Sequence, residues 1–135
     1  MTHHQEKIDL ELAPEPEAPL TVRRALDRLA PLLPPAKLED LRLVVSELLT
    51  NSVLHAGLTP TVRIRVIVTA QDGSVRGEIQ DPGSGFDIPS KPRPRPDFSG
   101  GWGLPIVDRI SDRWGTQRNG GFCVWFEVQR APTAV

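Results

Sequence analysis

The sequence predicts an α+β fold with helices packed on one face of a mixed or antiparallel sheet. Three observations carry that prediction. Apolar residues alternate with polar ones through Val62, Ile64, Val66 and Val68, and again through Phe122, Val124, Phe126 and Val128, as in strands covered on one face. A helical stripe runs from Lys37 to His55. Between the strands lies DPGSGFDIPSKPRPRPDFSGGWG, from Asp81 to Gly103, which holds too much glycine and proline for a regular element.

Taken in order, Ile8, Leu10 and Leu12 alternate with Asp9 and Glu11 and read as a short strand at an edge. Pro14, Pro16 and Pro19 interrupt regular structure, so the first helix is expected to start at Thr21 as N-cap. Its stripe is Val22, Leu26, Leu29 and Leu33, and Pro31 should end it near Ala30. The second helix, Lys37 to His55, presents Leu38, Leu41, Val45, Leu48 and then Ser52 or Val53, and Gly57 stops it. Asp72-Gly73 is a hairpin signal that returns the chain along Val75, Gly77 and Ile79. After the long loop, Leu104 to Ile110 reads as a helix with Leu104, Val107 and Ile110 inward. The Asn119-Gly120 turn leads into the last strand. The expected order is strand, helix, helix, hairpin, long loop, helix, strand.

Bulk properties restrict function. A chain of 135 residues fits one domain, and 39% hydrophobic residues suffice for a core without disulfides or metal staples. A net charge of -1 gives no general attraction to nucleic acid or an anionic membrane. No run approaches the roughly 18 apolar residues of a membrane span, and the polar start lacks a signal-peptide core. The single cysteine, Cys123, forbids an intrachain disulfide, and a cytoplasmic location is the simplest expectation. His3 and His4 are distant in sequence from His55, so no histidine metal cluster is expected.

Three features bear chemistry. Glu47, Asn51 and His55 recur every four residues, which gathers them on one side of the second helix. They read either as ordinary polar border residues or as a site. A carboxylate and an amide oxygen one turn apart can hold hydrated Mg²⁺, and the carboxylate can instead orient or deprotonate a hydroxyl. Asp81-Pro82-Gly83-Ser84-Gly85 is either a plain tight turn or a backbone that approaches a ligand, with the Asp81 carboxylate accepting from an amine. Gly100-Gly101-Trp102-Gly103 precedes a helix, where exposed N–H groups suit polyphosphate. Neither a P-loop nor a Rossmann glycine motif is present.

In this order the motifs resemble those of the histidine-kinase-like (GHKL) ATPases, specifically the short bacterial anti-sigma-factor serine/threonine kinases. VVSELLTNSVLHAG (Val44 to Gly57) resembles their N box, DPGSGF (Asp81 to Phe86) their G1 box, and GGWGLPIVDRISDRWG (Gly100 to Gly115) their G2 region. GFCVWFEV, Gly121 to Val128, resembles their last strand. The resemblance implies a two-layer α/β sandwich with helices on one face of a mixed sheet. Residues 1–19 would form a tail and short strand, and 20–130 the ATP-binding domain, with an ATP lid at about 86–100.

By motif position it implies Asn51 as the Mg²⁺ ligand and Glu47 as the catalytic base for a protein hydroxyl. Asp81 would receive the adenine amino group, with Gly83 and Gly85 shaping the adjacent turn and Phe86, also at the nucleotide, beginning the lid. Gly101, Gly103 and Leu104 would meet the phosphates. His55 would lie near the lid or serve as a packed histidine. The family often places a threonine on the last strand in support of the adenine-binding aspartate, and Cys123 is expected at that place. Lys91, Arg93 and Arg95 make the lid basic, either as a solvated loop or as a polyproline-like arm. The implied cofactors are ATP and Mg²⁺. The implied partners are a sigma factor, an antagonist protein phosphorylated on serine or threonine, and a second copy of the chain in a homodimer. An ATP-binding regulatory module without phosphotransfer is the alternative. A sensor histidine kinase is disfavoured, because no phosphoacceptor helices precede the domain.

Overall fold

The computed structural model describes residues 5–55, 62–71, 74–82, 104–118 and 121–129. Five strands form one sheet in the order β1-β2-β3-β5-β4. These are β1 (Glu6–Leu12), β2 (Ile64–Gln71), β3 (Ser74–Asp81), β4 (Arg113–Arg118) and β5 (Phe122–Gln129). Each of the four pairings is antiparallel, which narrows the mixed or antiparallel sheet expected from the sequence to an antiparallel one. Among the described residues three α-helices accompany it: α1 (Ala18–Ala25), α2 (Pro35–His55) and α3 (Leu104–Ile110).

Alternation decides which side of the sheet the helices cover. Ile64, Val66, Val68 and Ala70 of β2 point inward with Val75 and Ile79 of β3 and Phe122, Val124, Phe126 and Val128 of β5. Against them pack Val22, Leu26 and Leu29, then Leu38, Leu41, Val44, Val45, Leu48 and Leu49 of α2, and Val107 of α3. This burial is the main stabilising term of the fold. The opposite face carries ion pairs instead. Arg65 grips Asp9 through two hydrogen bonds of 3.0 and 2.7 Å, and Glu127 accepts from Arg76 at 3.0 Å and from Arg113 at 2.9 Å. Arg76 also lies over the Trp125 ring, 4.7 Å from its centroid.

Helix α2 begins two residues before the expected Lys37 and β2 two residues after Val62, and three larger differences from the sequence expectation occur elsewhere. Helix α1 begins at Ala18, with Thr21 inside it. Pro19 falls in the first turn, where a missing N–H costs nothing. The α-helix ends at Ala25 and continues as a 3-10 segment, Leu26–Leu32, which accommodates Pro31 while still burying Leu26 and Leu29. Strand β4 was not expected at all. Its sequence RWGTQR has no apolar alternation, and it pairs only at the sheet edge. Trp114 fixes it, packing on the core while its indole N–H donates to Asp108 of α3 at 3.0 Å.

The hairpin forms as expected, with Gln71 opposite Ser74. Its turn residues 72–73, Gly57, the Asn119-Gly120 turn, His3, His4, the 83–103 segment with the basic lid, and the terminal residues 130–135 lie outside the described residues. No described helix is long and apolar enough to cross a membrane.

Candidate functional site

Helix α2 carries its last buried turn against the end of β3. Asn51 is fully buried, at 0% exposure, and neither its amide nitrogen nor its oxygen has a hydrogen-bond partner among the described residues. A buried polar group left without a partner costs about 1–3 kcal/mol, so the Asn51 amide marks a place where a further polar group is to be expected. Glu47, one turn earlier, is half-buried, beside rather than within the apolar stripe. The sequence left Ser52 and Val53 as alternatives for the end of that stripe. Ser52 is buried, and Val53 is partly buried against the core.

Ser52 is the site residue that the motifs did not single out. Its hydroxyl donates to Oδ2 of Asp81 at 3.2 Å, and both residues are buried. The alternation placed Asp81 on the helix-covered face of β3, after Ile79. A hydroxyl on an otherwise apolar stripe was the signal available beforehand.

The expectation for Cys123 needs correction. In the β3–β5 register Cys123 stands opposite Gln80, whereas Phe122 stands opposite Asp81. Phe122 therefore shares the face of Asp81, and Cys123 points to the other side of the sheet, where its thiol donates to Glu78 Oε1 at 3.9 Å. Burial, and then the Glu78 charge, push this thiol up to about 11. The inward run Phe122, Val124, Phe126, Val128 already contained this answer, since a residue between two inward neighbours must face outward.

On that solvent-facing side a cleft of about 410 Å³ is floored by Glu78, Gln80 and Cys123, and it reaches Asp81 and Pro82 at one end. It lies across the sheet from Ser52, so it is not where the predicted site residues converge. Gly121 lets β5 start close to β3: a Cβ there would stand 2.6 Å from the Asp81 carbonyl oxygen.

Of the other predicted residues, His55 is the last residue of α2 and Leu104 the first of α3. Gly83, Gly85, Phe86, Gly101 and Gly103 lie outside the described residues. The donor set fits a hydrated Mg²⁺, a hard cation that takes oxygen ligands and keeps waters: the Asn51 amide oxygen is buried with no partner among the described residues, and the Glu47 carboxylate is one turn away. Among the described residues no group of three or more His, Cys, Asp or Glu is placed to hold a metal ion.

The model of the histidine kinase-like ATPase domain matches residues 12–128. The chain belongs to that family. Among curated proteins nothing matches. The solved structure of the RsbU and RsbW domains of Rv1364c from Mycobacterium tuberculosis is similar over 94% of this chain and 33% of that one, at 20% identity and a TM-score of 0.68. The blue-light activated histidine kinase of Erythrobacter litoralis EL346 is similar over 73% of this chain and 32% of its own, at 22% identity and a TM-score of 0.57. At these identities the likeness is one of fold, and this histidine kinase-like domain spans about a third of each of those chains.

Proposed function

We propose that the domain binds Mg²⁺-ATP between α2 and the end of β3 and acts as an anti-sigma-factor serine/threonine kinase toward an antagonist protein. The observation that carries the reading is the fully buried Asn51 amide, whose polar atoms have no partner among the described residues, one residue from the serine that bonds the buried Asp81. In this reading Asn51 Oδ1 holds the metal, and Asp81 accepts from the adenine amino group. Glu47 accepts the proton of a protein hydroxyl. Bound Mg²⁺ would supply charge neutralisation for the transferred phosphoryl group. Gly101, Gly103 and Leu104 would offer backbone N–H groups to the phosphates, and the 86–100 segment would cover them.

Support for the regulatory setting comes from the RsbW-containing structure among the similar folds. A sigma factor would be the second partner and a homodimer the working form, with the protein acting in the cytoplasm. Retention of Glu47 favours phosphotransfer over a binding-only module, since nucleotide binding alone needs Asn51 and Asp81 rather than a base.

Calorimetric titration of Mg²⁺-ATP into the natural protein, Asp81→Asn and Asn51→Ala tests the site. Saturable binding by the natural protein is expected, sharply weakened in Asp81→Asn, with reduced Mg²⁺ dependence in Asn51→Ala. A folded natural protein that binds no nucleotide would refute the reading. Transfer of labelled phosphate to an antagonist, abolished by Glu47→Gln, then separates a kinase from a binding-only module.

A further inference from the structure

We infer that Ser52 is the positioning residue for the base-reading carboxylate, and so sets the preference of the site for an adenine over a base lacking the 6-amino group. The inference rests on the nucleotide reading above, and it assigns to helix α2 a task in base recognition as well as in metal binding.

Asp81 is a carboxylate at 4% exposure. A buried carboxylate needs donors, and the direction of those donors fixes the rotation of its plane. Ser52, at 3% exposure, has one hydroxyl proton and gives it to Oδ2 at 3.2 Å. A carboxylate accepts along about four lone-pair directions, so a serine bond and an incoming amine can be held together. Opposite Asp81 on β5 stands Phe122, whose ring offers no hydroxyl. The serine is itself held firmly. It lies in a helix of 21 residues whose preceding turn, Leu48 and Leu49, is buried in the core. Asn51 is its neighbour in sequence, so the turn that presents the unmet amide also aims the carboxylate.

A carboxylate aimed as an acceptor discriminates by donor count. Adenine presents an N–H donor to it, whereas hypoxanthine presents a carbonyl oxygen, leaving two acceptors facing each other. Sites built around a buried hydrogen bond reject analogues lacking the partner far more strongly than apolar pockets do. If the carboxylate lost the aim that the Ser52 bond gives it, that rejection would weaken.

The test compares Mg²⁺-ATP with Mg²⁺-ITP by calorimetry in four forms of the full chain: natural Ser52, Ser52→Ala, Ser52→Thr and Ser52→Val. Threonine and valine are nearly isosteric and differ in the hydroxyl, so this pair answers the question even if alanine disturbs folding. Thermal unfolding of each free variant accompanies the titrations. The ATP-to-ITP affinity ratio should fall about tenfold in Ser52→Ala and Ser52→Val, the loss of roughly one charge-assisted hydrogen bond, and stay within a few-fold of natural in Ser52→Thr. A purely structural serine would change stability and both affinities together, leaving the ratio constant across all four, and that result overturns the inference while nucleotide binding stands. If the natural protein binds neither nucleotide, the nucleotide reading fails, and the inference with it.

Discussion

Gly121 and Asp81 touch backbone to backbone: a Cβ built on Gly121 would stand 2.6 Å from the Asp81 carbonyl oxygen and 3.4 Å from Pro82 Cα. Backbone cannot swing aside as a side chain can, so Gly121→Ala must push the start of β5 away from the end of β3. The carboxylate at that end is the one held by Ser52. The expected outcome is a loss of about 1–3 kcal/mol in stability from the forced separation, together with about tenfold weaker Mg²⁺-ATP binding. Urea unfolding and calorimetry on the same preparation check both halves. Natural affinity in a folded Gly121→Ala would show that the close approach does not govern Asp81.

A second close approach concerns the core alone. A Cβ on Gly77 would lie 2.3 Å from Cζ and 2.4 Å from Cε1 of the Phe126 ring, its direct partner across β3 and β5. The ring fills the space that a side chain on 77 would take. Gly77→Ala should therefore cost about 1–3 kcal/mol, and the melting temperature should drop by several degrees. Removing ring volume relieves the clash, so Gly77→Ala combined with Phe126→Leu should lose less than the sum of the two single variants. A double-mutant cycle by urea denaturation measures that coupling, and strict additivity would contradict the packing described.

The strands with clean alternation and the α2 stripe were legible in the sequence because burial on one face imposes a period on the chain. Phe122, Val124, Phe126 and Val128 repeat every second residue, and Leu38, Leu41, Val45 and Leu48 follow helical spacing. Edge strand β4 left no such mark. It has one neighbour, and Trp114 is the side chain that packs it onto the core, so composition within RWGTQR carries little signal. The Asn119-Gly120 turn was the available hint, since a hairpin turn has a strand on both sides. At the site, Glu47, Asn51 and Asp81 stood out by residue type and spacing. Ser52 did not, because its importance comes from a contact 29 residues away in the chain. Cys123 was misplaced by matching one motif residue to a neighbouring position, although strand parity assigned it to the solvent-facing side.

Cys123 consequently yields a pH prediction. Burial first, and then the Glu78 carboxylate, raise the thiol to about 11 from an ordinary value near 9. At pH 8 the thiolate fraction is then smaller than in the unfolded chain by roughly a hundredfold, and alkylation by iodoacetamide should be slower in about that proportion. An acid whose folded pKa is raised binds its proton more tightly when folded. Its stabilising contribution is present below about pH 9 and is lost as pH rises from there toward about 11. Alkylation rates followed by mass spectrometry from pH 7 to 10, in buffer and in urea, check the first part. Glu78→Gln should speed the folded-state reaction, and an unchanged rate would remove Glu78 as a cause.

Asn51 sets stability against function. Its two amide atoms are buried without a partner among the described residues, and an amide left so in the free domain would cost about 1–3 kcal/mol relative to an apolar side chain of similar size. Asn51→Leu should therefore raise the stability of the free protein by an amount in that range, unlike most substitutions of a buried residue. The same change removes the amide oxygen proposed to hold the metal, so nucleotide binding should weaken and lose most of its dependence on Mg²⁺. Ligand stabilises a native state by an amount that grows with the logarithm of its concentration over Kd. At one fixed concentration Mg²⁺-ATP should then raise the melting temperature of the natural protein by more than that of Asn51→Leu. A stability lower than natural in Asn51→Leu would mean that the amide is already satisfied within the chain, and that its burial says nothing about a ligand.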